Sequence, residues 1–454
     1  MSFSKNQNEL VFHKTDISCA TWTVSVPSSK SLTNRAIHLA SLGKGKTLLQ
    51  KPLTSIDTET MKAAWSALGA KIFEHNLDLE ILGINGFRDG NPHFPSSLFV
   101  SNAGTVARFL TAVLSLSDST IEITGDLYMD ERPLGGLLEC LKKLGAQFSF
   151  RGKYQCTPFF LTGSRSLPKE RVSLEVPGNV SSQYLSALMM ASPLLPHGCD
   201  LHYEKNIVSL PYVQMTKELM ESFSVKVSHD EEKGIFSIEN GVYERDSPYE
   251  VEVDFSSASY FLVLAAIHGT RVRIPRAKKE SLQGDRRIVH YLEEMGCAVR
   301  WDENGLLLER REGELLGLER DLKNETDLVP ALAAAALFAK TPSCFKNVSH
   351  MKFKECDRLG VLSSELSKLG AKVFEKDGNL YIFPKHKYLE ALLDPHGDHR
   401  MAMAFAVVGT MIPGLKLLNP DCVAKTFPSF FEELHKVICH PEPSLRHPEP
   451  SLSS

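Results

Sequence analysis

The stretch DFSSASYFLVLAAI at residues 254–267 opens with an acid and small hydroxyl side chains, then runs apolar on nearly every side. A polar lead-in of this kind supplies a helix N-cap. A helix that is apolar all round belongs inside a protein rather than on its surface. The same design occurs five more times: SSKSLTNRAIHLASL at 28–42, NAGTVARFLTAVLSL at 102–116, NVSSQYLSALMMASPL at 179–194, NETDLVPALAAAALFA at 324–339 and GDHRMAMAFAVVGTM at 397–411. Taken at Ser31, Thr105, Ser182, Ser257, Asp327 and His399, the copies lie 74, 77, 75, 70 and 72 residues apart. So regular a ladder marks an internal repeat, and the repeat sets the fold class.

Between the copies runs a second unit, an amphipathic helix closed by glycine. It reads WSALGAKIF at 65–73, CLKKLGAQF at 140–148, YLEEMGCAV at 291–299 and ELSKLGAKV at 365–373. Leu134, Leu137, Leu138 and Leu141 follow the i, i+3, i+4, i+7 stripe, and Gly145, Gly296 and Gly370 stand where a helix C-cap falls. An alternating segment follows each glycine, with KVFEKDGNLYIF at 372–383 the clearest hairpin. Each repeat thus holds two helices and several strands, and three repeats make a domain. The expected fold is α/β (α+β), with two similar domains. One spans 26–248. The other combines 1–25 with 249–440, because the last helix, Phe427 to Val437, needs strand partners and the N-terminal segment is spare. HPEPSLRHPEPSLSS at the end repeats HPEPSL, and 441–454 is expected to be a disordered tail.

The 454 residues carry 51 Lys and Arg against 55 Asp and Glu, a formal charge of −4, which excludes a nucleic-acid coat or polybasic membrane binder. Nine scattered cysteines form no CxxC pair, so neither a disulfide framework nor a thiolate zinc site is expected. The N-terminus lacks an apolar signal core, and Leu328 to Ala339 is too short to cross a bilayer, so a cytoplasmic location is expected. GKGKT at 43–47 lacks the first glycine of a phosphate loop and reads as a helix-to-strand turn. His396 and His399 have no third ligand at proper spacing, and no feature marks a base for Cys356.

Helix N-termini bind anions through unpaired N–H groups and a partial positive charge. Beside them the chain sets Lys30, Arg35, Arg108, Arg132, Lys354, Arg358, Arg400 and Lys425, which points to a site for multiply anionic small molecules. Asp327 and Glu355 are the candidate acid–base pair. Their plainer readings are a helix cap for Asp327 and a surface ion pair for Glu355.

In order along the chain stand PSSKSLTNR, NAGTVAR, MDERP, VSSQY, SLPY, DFSSASYF, SLQGD, TDLVPA, KECDRL, GDHRMAM and AKTFP. With these motifs residues 20–437 resemble the EPSP synthases of the enolpyruvyl transferase family. The resemblance implies two domains, each of three βαβαββ-type repeats, with the active site in the interdomain cleft. It implies transfer of the enolpyruvyl group of phosphoenolpyruvate to the 5-hydroxyl of shikimate 3-phosphate, on the route to chorismate and aromatic amino acids. Addition and then elimination through a tetrahedral intermediate would release phosphate. Carried over by motif, Asp327 is the base toward that hydroxyl, Glu355 the acid toward the methylene carbon, and Lys30 a contact of both substrates and a proton relay. Ser31, Arg35, Ser181, Ser182, Gln183, Ser209, His350 and Lys354 fall on the shikimate 3-phosphate side, with Tyr212 near the ring. Gly104, Arg132, Gln183, Arg358, Arg400 and Lys425 fall on the phosphoenolpyruvate side. No metal or organic cofactor is implied, and a monomer is expected.

The chain departs from the family pattern at Phe109, where proline is usual, at His350, where asparagine is frequent, and at Thr326, where proline is frequent. Phe109 lies behind Gly104 and bears on the fit of phosphoenolpyruvate and of the family inhibitor glyphosate. Two alternatives stand beside this reading. One is the related transferase acting on UDP-N-acetylglucosamine, which has asparagine after the lysine of the first motif, where this chain has Ser31. The other is a non-catalytic anion-binding relic of the fold.

Overall fold

The computed structural model describes residues 3–5, 8–14, 21–87, 94–164, 166–178, 181–204 and 207–439. The expected disordered tail, 441–454, lies outside the described residues, as do Asn179 and Val180 of one lead-in. The chain divides into two compact units, Ser28–Val251 and Met1–Pro27 with Glu252–Ser454.

Each unit contains three four-stranded sheets of one topology. In the Ser28–Val251 unit one sheet runs Val172–Val176, Cys199–Tyr203, Ile235–Ile238, Val227–Asp230. Its first pair is parallel and the other two pairs are antiparallel. The parallel pair is bridged by the Ser182–Ala191 helix, since parallel neighbours need a crossover, and Val227–Asp230 is joined to Ile235–Ile238 by a short turn. The sheets built on Thr120–Thr124 and Lys46–Gln50 repeat this order. So do those built on Arg271–Ile274, Ser343–Lys346 and Lys416–Leu418 in the other unit.

Two sheets borrow a strand across a break in the sequence. Thr21–Thr23 pairs with Arg271–Arg273, and Tyr249–Glu250 pairs with Leu49–Gln50, so each unit is closed by a strand distant in the chain. In the sixth sheet the hairpin Phe3–Lys5 and Glu9–Phe12 comes from the N-terminus, with Leu10 opposite Leu417. That hairpin supplies strand partners for the last repeat. Its helix spans Phe430–Cys439, beginning three residues later than Phe427 because Pro420–Lys425 forms a 3₁₀ turn ahead of it.

The six repeat helices form the cores. Every residue from Phe255 to Ile267 is buried, as is every residue of Gly104–Leu114 and of His399–Gly409. Each fully buried Leu, Val or Phe in them adds roughly 1.5–3 kcal/mol of transfer free energy. Four of the six lead-ins act as caps: Ser29, Ser181, Asp254 and Asp398 accept from backbone N–H groups of the first turn. The other two do not. Ala103 precedes Gly104–Leu114, and the Val329–Leu337 helix grows out of a 3₁₀ turn at Thr326–Leu328 with no side-chain cap. Both exceptions fall where side chains are committed elsewhere, as described below.

The amphipathic helices end as the glycines predict. Gly145, Gly296 and Gly370 have φ of 98°, 111° and 77°, left-handed values that carry no Cβ penalty at glycine. In the 372–383 hairpin Asp377 and Gly378 both have positive φ, the two-residue turn that matches strand twist. Gly43–Gly45 is a helix-to-strand turn between Leu42 and Lys46. The longest helix runs 14 residues, and no helix among the described residues is long and apolar enough to cross a membrane.

Candidate active site

In the unit that includes residues 252–439, the starts of two buried helices and the KECDR segment bring charges together. The Thr326–Leu328 turn presents Asp327, the Arg358–Lys368 helix begins with Arg358, and Asp398 caps the helix that carries Arg400. Arg358 is the hub. Its Nε donates to Asp398 Oδ2 at 2.7 Å, its Nη1 to Asp327 Oδ1 at 2.9 Å and its Nη2 to Glu355 Oε2 at 2.7 Å. Arg400 Nη2 donates to Asp327 Oδ2 at 2.9 Å. Lys354 Nζ lies 3.7 Å from Asp327 Oδ1, and Lys425 Nζ lies 3.7 Å from Glu355 Oε1. Four cations thus meet three carboxylates in one mostly buried group.

This geometry does not match the plainer reading of either acid. Asp327 does not cap its helix; its two oxygens face Arg358 and Arg400. Glu355 is no surface ion pair, since its side chain is only 10% exposed. Burial by itself would raise the Asp327 pKa. Arg400, Lys354 and Arg358 outweigh it and hold the carboxyl well below the usual range. Asp327 therefore stands ionised. Arg358 shows the converse: burial disfavours its charge, but Asp398 first and then Glu355 and Asp327 raise its pKa well above the ordinary value. The Lys354 pKa is lowered, by burial foremost.

Two neighbours are chemically quiet. Burial, then Lys354, lowers the His350 pKa to about 3, so the ring is neutral. Burial and then Asp398 raise the Cys356 pKa, and its thiol lies 3.7 Å from an Asp398 oxygen, so it is no nucleophile. His396 and His399 do not form a metal site: His396 Nε2 lies 3.5 Å from Glu365 while His399 is fully buried beside Asp398. Among the described residues no group of three or more His, Cys, Asp and Glu side chains is placed to hold a metal ion.

In the Ser28–Val251 unit a second set gathers at three helix starts. Lys30 Nζ pairs with Asp57 Oδ2 at 3.1 Å, both side chains largely buried. Arg108 reaches back along its own helix, donating through Nη1 to Gly104 O at 3.0 Å and to Gln183 Oε1 at 2.9 Å, and through Nη2 to Pro133 O at 3.1 Å. Arg132 Nη1 donates to Asn102 O and Oδ1, both at 3.2 Å. Gly104 makes this approach feasible. A Cβ there would fall 2.3 Å from Arg108 Nη1 and 2.8 Å from Arg132 Nη2, so any side chain would displace a guanidinium. The polar lead-in residue Asn102 is engaged by Arg132, and this helix begins without a side-chain cap. Ser181 caps the third helix by accepting from Gln183 N at 3.2 Å, with Ser182 buried beside it. Ser209 is buried at φ 57°, at the start of the Leu210–Ser222 helix that carries Tyr212.

Arg35 occupies a different setting from the other cations. It is 1% exposed. Its Nε donates to Thr216 Oγ1 at 2.7 Å and its Nη1 to Ser31 O at 3.0 Å. The guanidinium lies 5.2 Å from the centre of the Phe109 ring. Burial lowers its pKa to about 10, so it stays charged. In this structure it ties the Lys30–Leu42 helix to its neighbours and holds the Ser31 carbonyl. Phe109 supports it from below, a contact that explains an aromatic ring at that position.

A family model described as EPSP synthase (3-phosphoshikimate 1-carboxyvinyltransferase) matches residues 16–434. The chain belongs to the EPSP synthase family. A 3-phosphoshikimate 1-carboxyvinyltransferase of Serratia proteamaculans is 38% identical over 419 residues, covering 91% of this chain and 96% of the relative. One of Photorhabdus laumondii is 38% identical over 425 residues, covering 93% and 97%. Among solved structures, an EPSP synthase from Acinetobacter baumannii superposes with a TM-score of 0.77 at 22% identity, over 95% of this chain and 98% of that one. At that identity the likeness speaks for the fold. The family is one of transferases, and this chain is an enzyme of that class.

Sequence reasoning missed three members of these groups. Asp398 signalled only a helix cap, yet it also anchors Arg358. Asp57 follows Lys30 by 27 residues in an ordinary helix start, with no local signal of the pair. Asn102 belongs to a quoted motif but was not singled out for Arg132.

Proposed function

We propose that this chain transfers the carboxyvinyl group of phosphoenolpyruvate to the 5-hydroxyl of shikimate 3-phosphate, with Asp327 and Glu355 as the proton-transfer groups. The observation that carries the reading is Asp327 held by Arg358 and Arg400 at 2.9 Å each, with Glu355 on the same Arg358. The hydroxyl oxygen bonds to C2 of phosphoenolpyruvate while its proton passes to Asp327. Glu355 enters this step protonated and passes its proton to the methylene carbon C3, giving a tetrahedral intermediate. Elimination then returns a proton from C3 to Glu355 and breaks the C2–O bond to phosphate, which leaves with the proton held by Asp327, so that Asp327 is ionised again. Such positioned proton transfers contribute typically 10²–10⁴-fold each.

The cations supply the electrostatic half of the reaction. Arg358 and Arg400 carry planar donor forks suited to the phosphoenolpyruvate carboxylate, and Arg132, Gly104 and Lys425 serve its phosphate. Ser181, Ser182, Ser209, Lys354 and neutral His350 serve the 3-phosphate. Lys30, Ser31, Arg35, Gln183 and Tyr212 serve the shikimate side, with Lys30 and Gln183 contacting both ligands. Because Arg35 is engaged within its own unit, its part is to orient Ser31 and the first helix. Carboxylates, carbonyls and amides engage these cations until the anions arrive and take over part of the donor set. On this reading the enzyme works as a cytoplasmic monomer.

The assay is release of inorganic phosphate from phosphoenolpyruvate. Release that depends on shikimate 3-phosphate, and not on UDP-N-acetylglucosamine, supports the proposal. Dependence on the nucleotide sugar, or no release with either acceptor, overturns it. The family match and the named relatives favour the shikimate acceptor over the nucleotide sugar.

A further inference from the structure

The first turn of the Phe255–His268 helix is clasped by a buried turn, Ser281–Asp285, that the reaction above leaves unused. Phe255 N donates to Gln283 Oε1 at 3.2 Å. The Gln283 amide donates to Val253 O at 2.8 Å and to Glu252 Oε2 at 3.2 Å. Ser281 Oγ donates to the same Glu252 oxygen at 2.5 Å. This frame delivers Asp285, 2% exposed, to the helix start, where the Ser256 hydroxyl donates to its carboxyl. The charged groups acting on it are Asp327 from the Thr326–Leu328 turn, Arg400 from the His399–Gly409 helix and Asp254 from the cap of its own helix. Burial first, and then Asp327, raise its pKa to about 7, while Arg400 and the Ser256 hydroxyl pull it down.

We propose that Asp285 is a positioning residue for the acid–base centre: its carboxyl, locked against Ser256 by the Gln283 frame, governs how Arg400 is divided between Asp327 and an anionic substrate. The inference rests on the role given to Asp327 above. A neutral carboxyl is the form that a buried site tolerates best. In that form Asp285 leaves Arg400 to Asp327 and to the arriving carboxylate. Once ionised it draws on Arg400, adds a negative charge beside Asp327 and repels both substrates.

The test compares the whole enzyme with its Asp285→Asn variant, measuring kcat/KM for phosphoenolpyruvate from about pH 6 to about pH 8.5. Substrate ionisations are common to both proteins and cancel in the ratio. The ratio of variant to wild type is expected to climb about tenfold over that range through a single step near neutrality, a change that a purely structural side chain would not produce. A ratio flat with pH overturns the proposal. Ser256→Ala keeps the carboxyl but removes the hydroxyl that lowers its pKa, so its own activity step is expected at higher pH than in wild type. An unmoved step counts equally against the inference. Asp327→Ala separates the two claims. If that variant is inactive while the Asp285→Asn ratio is flat, only the inference falls; if it turns over normally, the acid–base reading falls first.

Discussion

Replacing Arg358 with glutamine tests how much of this unit's stability resides in its charge cluster. The side chain is 1% exposed, and its partners Asp398, Glu355 and Asp327 are 0%, 10% and 15% exposed. Glutamine removes the cation from Asp398 and leaves Asp327 to Arg400 and Lys354 and Glu355 to Lys425. Breaking a buried ion pair by deleting one partner costs about 3–5 kcal/mol. The three contacts share one guanidinium, so the losses do not sum, and about 4 kcal/mol at pH 7 is expected. That is a large part of the roughly 5–15 kcal/mol available to a folded domain. The pH dependence has a definite sign. Asp327 is held well below its unfolded value, so its contribution is present above the ordinary Asp pKa and is lost as pH falls through the folded one. The difference between wild type and variant should therefore be largest at neutral pH and shrink below about pH 4. Urea unfolding followed by tryptophan fluorescence reads it, since Trp22 and Trp301 both lie in this unit. Arg358→Lys keeps the charge, but one ammonium does not span three carboxylates, and less than half the loss should be recovered. A glutamine variant within about 1 kcal/mol of wild type at pH 7 would refute the reasoning.

Two further outcomes follow from local geometry. Gly145→Ala should destabilise more than Gly370→Ala: both positions need left-handed backbone, costing about 1 kcal/mol for alanine, but a Cβ at 145 would sit 2.6 Å from Ser164 Oγ, whereas at 370 its nearest neighbour is 3.4 Å away. Equal thermal midpoints for the two variants would contradict this. The His350 imidazole, lowered to about 3 by burial and Lys354, should show no proton titration by NMR between about pH 5 and 8; a midpoint near the ordinary histidine value would show that the ring is not buried as described.

The architecture was legible because its signals are local and repeated six times. The all-apolar helices, the glycines at 145, 296 and 370, and the Asp377–Gly378 turn each act within a few residues and as expected, while two of the six polar lead-ins do not cap their helices. The need for a strand partner at the C-terminal end was legible from a count of elements, and Glu9–Phe12 meets it. Legibility failed where a residue's partner is remote. Nothing near Lys30 announces Asp57, and a cap position at Asp398 does not reveal that the same carboxylate binds a guanidinium 40 residues away. Gly104 shows the opposite limit. Its motif was legible, but the reason for glycine, two guanidinium groups crowding its Cα, is a fact of packing. The partners of Arg35 were illegible in the same way, since Thr216 and Phe109 lie far along the chain.

The most direct test is the rate of phosphate release by Asp327→Ala with phosphoenolpyruvate and shikimate 3-phosphate both saturating. With the ionised carboxylate between Arg358 and Arg400 gone, the rate should fall by at least about 10²-fold. A rate within a factor of about three of wild type, less than 1 kcal/mol in barrier height, would contradict the assignment of proton transfer to this carboxylate.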